Sequence, residues 1–151
     1  MAGLYYEEFV VGQVFKHPVT RTVTETDNLL FTALTHNTQP LHLDEEFAKT
    51  TPFGTRLVNS VFTLGLIVGL PVTELSLGTT LGNLGFEDVR FSAPVRIGDT
   101  LRSETLIVSK RESKKWPNAG IVNFVHTGYN QRNEVVATIG RVGLMMKRPV
   151  A

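Results

Sequence analysis

Four long stretches in the second half of the chain alternate apolar and polar residues and are rich in β-branched and aromatic side chains. This pattern is typical of half-buried β-strands, which we predict over residues 79–92, 99–110, 120–130 and 135–146. Residues 97–99 and 131–133 indicate turns between them. Residues 110–118 are polar and broken by a proline, so they predict a solvated loop.

The first half of the chain predicts one strand and two shorter helices. The strand covers residues 12–24, which are rich in β-branched side chains and roughly alternate. Thr24 or Thr26 can cap a helix that begins near Glu25, with Asp27 in its first turn facing the helix dipole. Its apolar stripe would consist of Leu29, Leu30, Ala33 and Leu34. Residues 44–49 begin with cap-like acids and predict one or two further helical turns.

Residues 61–70 predict an apolar helix that Asn59 or Ser60 caps and Pro71 ends. The stretch is hydrophobic on every side, which predicts burial on every side, and it is too short to span a membrane. Gly65 and Gly69 share one face and each costs about 1 kcal/mol relative to alanine. A sheet, a partner helix or a ligand should therefore approach the backbone there. One buried helix followed by antiparallel strands predicts an α+β fold in which the sheet wraps the helix.

Composition narrows the class of protein. A chain of 151 residues predicts one domain, and its net charge of +1 gives no electrostatic reason to expect nucleic acid or a membrane surface as partner. The chain contains no cysteine, which excludes disulfides and is compatible with a cytoplasmic location. Its first eleven residues lack the basic region of a signal peptide. Four scattered histidines show no metal-site spacing, so we expect no metal, and we expect His17 and His126 to satisfy local hydrogen bonds.

A polar segment after the first predicted helix carries the main candidate for chemistry. It reads Thr35-His36-Asn37-Thr38-Gln39-Pro40-Leu41-His42-Leu43-Asp44-Glu45. The segment resembles the hydratase signature of the MaoC-like family, the R-specific enoyl-CoA hydratases, which usually reads Thr/Ser-Gly-Asp-x-Asn-Pro-Leu/Ile-His-x-Asp. The second half is intact in Pro40, Leu41, His42 and Asp44. In the first half, His36 replaces the glycine, Asn37 the catalytic aspartate and Gln39 the asparagine.

Residues 91–101 resemble the F-x-x-P-V-x-x-G-D-x-L segment of the same family. We interpret this segment as a tight turn between strands, which supports the fold and carries no catalytic group. The two segments and the glycine-bearing helix span about residues 11–148. The resemblance implies one hotdog domain over residues 1–151, with a long central helix wrapped by an antiparallel sheet, and a homodimer or higher homo-oligomer.

The resemblance implies that His42 is the general base on water or helps to hold that water. Asn37 can orient water through hydrogen bonds, but its amide cannot exchange a proton at neutral pH. Three alternatives follow: His36 takes the proton role, His42 acts alone while Asn37 places the water, or the protein binds acyl-CoA without turnover. The second is preferred. Gln39 would have a structural role in the loop, and Asp44 would cap the next helix or orient His42.

Asn59 and Ser60 lie where the family usually has His-Gly. The Ser60 backbone N–H could polarise the thioester carbonyl, since helix N-termini present unpaired N–H groups and a positive dipole end. Simple helix capping is the alternative role for both residues.

The function that the resemblance implies is a hydratase or dehydratase acting on a 2-enoyl-CoA thioester, without a cofactor. Short, branched and dicarboxylic acyl groups, such as mesaconyl or itaconyl groups, all remain open. A hotdog thioesterase is disfavoured because no Asp or Glu occurs between Arg56 and Thr73 to activate water near the helix. A non-catalytic acyl-CoA-binding subunit is the other alternative, and Asn37 favours it.

Overall fold

The computed structural model describes residues 3–149. A 3₁₀ turn at Tyr6–Glu8 precedes five helices and six strands. The helices are α1 (Glu25–Leu34), α2 (Pro40–Leu43), α3 (Glu45–Lys49), α4 (Ser60–Gly69) and α5 (Val72–Leu75). The strands are β1 (Val14–Lys16), β2 (Arg21–Thr22), β3 (Thr80–Phe91), β4 (Thr100–Glu112), β5 (Ala119–Tyr129) and β6 (Val135–Met146).

All described strand pairs are antiparallel, and the order across the sheet is β1-β4-β5-β6-β3, with β2 also paired to β4. The four long strands agree with the four predicted stretches to within two residues at each end. Gly98 and Asn133 have positive φ angles of 94° and 60° in the two predicted turns. The predicted loop is shorter than expected, residues 113–118, because β4 continues to Glu112.

The prediction of a single strand over residues 12–24 is wrong. The segment forms two short strands that pair with different parts of β4: Val14 faces Leu106, and Arg21 faces Leu101. Pro18 lies between them and has no N–H to donate to a neighbouring strand. The alternating pattern was therefore present, but the proline interrupts the pairing.

Helix α1 begins where the sequence predicts but buries a different face. Thr24 and Asp27 form a reciprocal capping box: the Thr24 Oγ1 accepts from the Asp27 N–H at 3.2 Å, and the Asp27 carboxylate accepts from the Thr24 N–H at 2.8 Å. The expected apolar stripe is exposed, with Leu34 72% accessible. The fully buried side chains of α1 are polar, Asn28 and Thr32.

Helix α4 packs against β4, β5 and β6, with Ile67 fully buried among the apolar side chains of β6. The prediction that α4 is buried on every side is wrong, because Val61, Gly65 and Gly69 are exposed along one face. A Cβ atom built on either glycine would find nothing within 4 Å. Within the described chain the sheet is therefore not the element that approaches these glycines, which leaves a partner helix or a ligand.

No helix within residues 3–149 is long and apolar enough to cross a membrane.

Candidate active site

His42 lies on the short helix α2, which Pro40 begins as its first residue. Its ring Nδ1–H donates to the Leu57 carbonyl oxygen at 2.8 Å, since a carbonyl can only accept. Leu57 also donates its own N–H to the Leu41 carbonyl oxygen at 3.1 Å. The contact with the Leu57 carbonyl places the proton on Nδ1, so the Nε2 of a neutral His42 presents a lone pair that can accept a proton from water.

Ser60 is the first residue of α4, three residues beyond the carbonyl that holds the His42 ring. Asn59 caps the helix: its Oδ1 accepts from the Val61 N–H at 3.0 Å, and its backbone oxygen accepts from Thr63 at 3.1 Å. The Ser60 N–H precedes the first intrahelical bond and has no acceptor among the described residues. The helix dipole makes this N–H a donor suited to a developing negative charge.

His42 and Ser60 both line one cavity of about 470 Å³. The other polar side chains in its wall belong to Thr63 and Ser92. The apolar part of the wall consists of Leu41, Phe53, Leu57, Val58, Phe91, Ala93, Pro94 and Val95. No carboxylate of the described chain lines the cavity. The residues that carry the base and the N–H donor thus both line a mostly apolar space large enough for a small acyl group.

The structure does not bring the other predicted site residues into this wall. Asn59 is 2% exposed and is used as the helix cap, with its Nδ2 directed to the Thr32 Oγ1 at 3.4 Å. Asn37 is half-buried, and its Oδ1 accepts from the Gln39 N–H at 3.1 Å, which shapes the turn before α2. Gln39 and His36 are exposed.

His36 has a positive φ of 54°, directly after α1. Glycine adopts this left-handed conformation without a steric penalty, whereas other residues rarely do. This explains in physical terms why a glycine suits this position of the usual signature. In this chain the strained position holds an exposed histidine instead.

The sequence alone does not predict two parts of the site. Residues 91–95, which the sequence predicts only as part of a turn, form one wall of the cavity, and the Val95 carbonyl accepts from the Val58 N–H at 2.9 Å. The resemblance of that segment was the available signal. The burial of Asn28 is not predicted by the sequence, because a polar residue on an amphipathic helix ordinarily faces solvent.

His17 and His126 make hydrogen bonds within the protein, as predicted, and the structure places both in the core, 5% and 0% exposed. The His17 ring contacts the Glu74 carboxylate and the Thr105 hydroxyl, and that hydroxyl also contacts the His126 Nδ1 at 2.8 Å. Burial lowers the pKa of His126 to about 3, so it is neutral at physiological pH. Glu74, the first acid after α4, is thus engaged by His17. Asp44 acts as the cap of α3, accepting from the Phe47 N–H at 3.0 Å.

Across the described range 3–149, no group of three or more His, Cys, Asp or Glu side chains is arranged to hold a metal ion.

Comparison with known proteins places the chain in a family. The family described as "MaoC like domain" matches residues 8–130. The chain is 31% identical to the mesaconyl-CoA hydratase of Cereibacter sphaeroides over 99% of its own length, but spans only 43% of that relative. It is 33% identical to the (R)-specific enoyl-CoA hydratase of Rhodospirillum rubrum, with 74% of this chain and 75% of that relative covered.

A solved structure with a double hotdog fold, from Mycobacterium tuberculosis, superposes with a TM-score of 0.86 at 21% identity. The superposition covers 99% of this chain and 46% of that one, which confirms the predicted fold. The matched residues 8–130 contain both segments that line the cavity. The chain belongs to the MaoC-like domain family.

Proposed function

We propose that the protein is a hydratase or dehydratase that adds water to, or removes it from, a 2-enoyl-CoA thioester. The observation that carries this proposal is the placement of His42 and Ser60 on one mostly apolar cavity, with the His42 Nδ1 proton fixed by Leu57. Hydration needs a base for water and a donor for the thioester oxygen, and these two groups supply them. The two relatives described above are named for this class of reaction.

In the hydration direction, His42 Nε2 takes a proton from water as the water oxygen bonds to C3 of the enoyl group. The C2–C3 π electrons move toward the thioester, and the negative charge on its oxygen is stabilised by the Ser60 N–H. The proton held by His42 then passes to C2 as the charge returns. One water is consumed, and the imidazole ends neutral. A single proton-transfer residue therefore balances the reaction.

Asn37 has a supporting role in this scheme. Its Oδ1 is used by the Gln39 N–H, and its Nδ2 makes no hydrogen bond with the described residues. Asn37 does not line the cavity, and its amide cannot act as an acid at neutral pH, so its part in this scheme is to shape the turn before α2. His42 then performs the proton transfers alone. Gln39 contributes through its backbone, whose oxygen accepts from the His42 N–H at 3.1 Å.

A branched or dicarboxylic enoyl group is the substrate that the comparisons favour. The C. sphaeroides relative is named for mesaconyl-CoA, and the match covers 99% of this chain. The pantetheine arm would lie beside α4, where Gly65 and Gly69 leave the backbone open. The CoA thioester is the only small molecule that this scheme requires.

Two alternative functions are a thioesterase and a non-catalytic acyl-CoA-binding subunit. The thioesterase reading lacks its water-activating carboxylate, because none lines the cavity and Glu74 contacts His17. The non-catalytic acyl-CoA-binding subunit keeps one argument in its favour, the amide of Asn37 in place of an acid. A measurement of enoyl-CoA turnover distinguishes a hydratase from a protein that only binds acyl-CoA.

A panel of enoyl-CoA thioesters, from short linear to branched and dicarboxylic, tests the proposal. We expect the native chain to hydrate a branched dicarboxylic member, seen by mass spectrometry as the gain of one water. The variant Asn37→Asp should stay within about tenfold of the native kcat, because His42 performs both proton transfers. If the reaction needed a second acid–base group at position 37, the new carboxyl group would raise kcat by roughly 10²–10⁴. Turnover by the Asp variant alone would identify the native chain as a silenced binder. Turnover by neither would contradict the hydratase proposal.

We further propose that the protein is a homodimer that pairs through β3. This strand lies at the edge of the sheet, where its outer backbone groups lack a neighbour within the described chain. Its exposed apolar side chains are Leu81, Leu84, Phe86 and Phe91. Exposed apolar surface at a sheet edge favours association. A higher oligomer built from such dimers is compatible with this proposal.

The absence of cysteine is the basis for the proposal of a cytoplasmic location.

Sedimentation equilibrium should give twice the 16.7 kDa chain mass, or a multiple of it. The variant Leu84→Glu places a charge on the proposed interface and should shift the protein toward the monomer. Val19→Glu, at a similarly exposed apolar residue away from β3, is the matched control and should leave the mass unchanged. A native monomer at micromolar concentration would contradict the dimer.

A further inference from the structure

Asn28 is a completely buried polar residue on α1, and its side chain joins two parts of the active site. Its Nδ2 donates to the His42 carbonyl oxygen at 3.1 Å, and its Oδ1 accepts from the Asn59 N–H at 2.9 Å. The two partners lie 14 and 31 residues further along the chain. One amide therefore links the helix that carries the base to the residue that precedes the Ser60 N–H.

The partners fix the orientation of this amide without ambiguity. The His42 carbonyl can only accept and the Asn59 N–H can only donate, so the nitrogen of Asn28 must face His42 and its oxygen must face Asn59. An ionised carboxylate cannot donate, and an apolar side chain can neither donate nor accept, so neither replaces the amide in both contacts. Asn28 is thus chemically specific to its position.

Asn59 is held by the same face of α1 at a second point. Its Nδ2 donates to the Thr32 Oγ1 at 3.4 Å, and Thr32 is also fully buried. The backbone of Asn59 has φ −54° and ψ 125°, and these angles set the direction of the following peptide group, which contains the Ser60 N–H. Holding Asn59 therefore holds the donor that we place on the thioester oxygen.

We propose that Asn28 is a positioning residue that fixes the base on His42 and the N–H of Ser60 relative to each other. This inference rests on the function proposed above, since it assigns Asn28 a role in that reaction. It also explains why α1 buries a polar face: the buried amide replaces apolar packing with two directed hydrogen bonds. Asn28 touches neither the cavity nor the reacting atoms.

Two substitutions separate the contacts. Asn28→Asp is nearly isosteric. Its ionised carboxylate accepts from Asn59 but cannot donate to the His42 carbonyl, whereas burial favours the protonated form, which can donate, so kcat of this variant is measured at alkaline pH. Asn28→Ala removes both contacts. We expect kcat to fall at least about tenfold in the Asp variant and about 10²-fold in the Ala variant, because displacements near 1 Å have effects of this size. KM should change less than about twofold, since the cavity wall is intact.

Asn130→Ala is the matched control. Asn130 is 1% exposed, and its side chain also binds backbone groups, the N–H groups of Arg132 and Glu134, but in the β5–β6 turn. It should lose thermal stability while keeping kcat. Native kcat in either Asn28 variant, a loss confined to KM, or an equal fall of kcat in Asn130→Ala would overturn the positioning role.

A second measurement is independent of turnover. Nitrogen-15 NMR of the ring should show His42 in the Nδ1–H tautomer in the native chain, and a mixture with the Nε2–H tautomer in Asn28→Ala, because the anchored loop has been released. If the native chain hydrates no thioester, the proposed function fails by itself and this signal decides the inference. A shift of the tautomer supports the positioning role, and an unchanged Nδ1–H signal in the variant overturns it.

Discussion

Replacing His42 by alanine is expected to lower kcat for enoyl-CoA hydration by about 10²–10⁴-fold, the range for loss of a general base. The native ring is the only titratable side chain in the cavity wall within residues 3–149. No other group in that wall can accept the proton of water, so the loss should lie near the upper end of this range. Substrate affinity should change little, since the remaining wall is mostly apolar and unaltered.

The matched control for His42→Ala is His36→Ala. His36 is the other histidine of the signature segment, but it is exposed and does not line the cavity. Its removal should leave kcat close to the native value. Single-turnover measurements on both variants, with thermal unfolding to show that each is folded, check the prediction. A large loss in His36→Ala with a small loss in His42→Ala would transfer the proton role to His36.

The sequence predicted the long strands and the central helix because their patterns are uninterrupted. Alternation in the sequences of β4 and β5 predicts the strands, and burial alternates along most of each strand as that pattern requires. The same alternation failed over residues 12–24, where Pro18 removes a donor that pairing requires. The alternating pattern favours one strand there, but Pro18 cannot donate a hydrogen bond to a neighbouring strand, so the segment forms two short strands.

The faces of the helices were less predictable than their positions. The leucines of α1 form a helical stripe, yet the stripe is exposed and Asn28 and Thr32 are buried. Periodicity shows that a helix has two faces, but not which face the rest of the chain covers. The face of α1 that is buried carries Asn28, whose side chain makes hydrogen bonds to the backbones of His42 and Asn59, and both residues are distant in sequence. The exposed leucines are surface that assembly can bury.

The candidate site was predicted in part for a related reason. His42 and Ser60 were identified from a short segment and a helix start, and the structure places both on one cavity. The wall at residues 91–95 and the link through Asn28 depend on contacts between segments that are far apart in the sequence. A single sequence carries no signal for such contacts beyond the resemblance itself.

Replacing Ser60 by proline is expected to lower kcat by about 10²–10³-fold, the cost of removing one oxyanion donor. Proline is well tolerated as the first residue of a helix, where its missing N–H has no intrahelical role. The preceding Asn59 has an extended ψ of 125°, which suits a residue before proline. The substitution therefore deletes the N–H while retaining α4.

Ser60→Ala is the matched control, because it removes the hydroxyl and keeps the N–H. It should stay within a few-fold of native kcat if the backbone group polarises the thioester. Circular dichroism and thermal unfolding should show both variants folded, and binding of a saturated acyl-CoA should show that the proline ring leaves the cavity open. Equal losses in the two variants would assign the effect to the Ser60 hydroxyl. Undiminished turnover in Ser60→Pro would mean that the thioester oxygen is stabilised elsewhere and would contradict the role proposed for the Ser60 N–H.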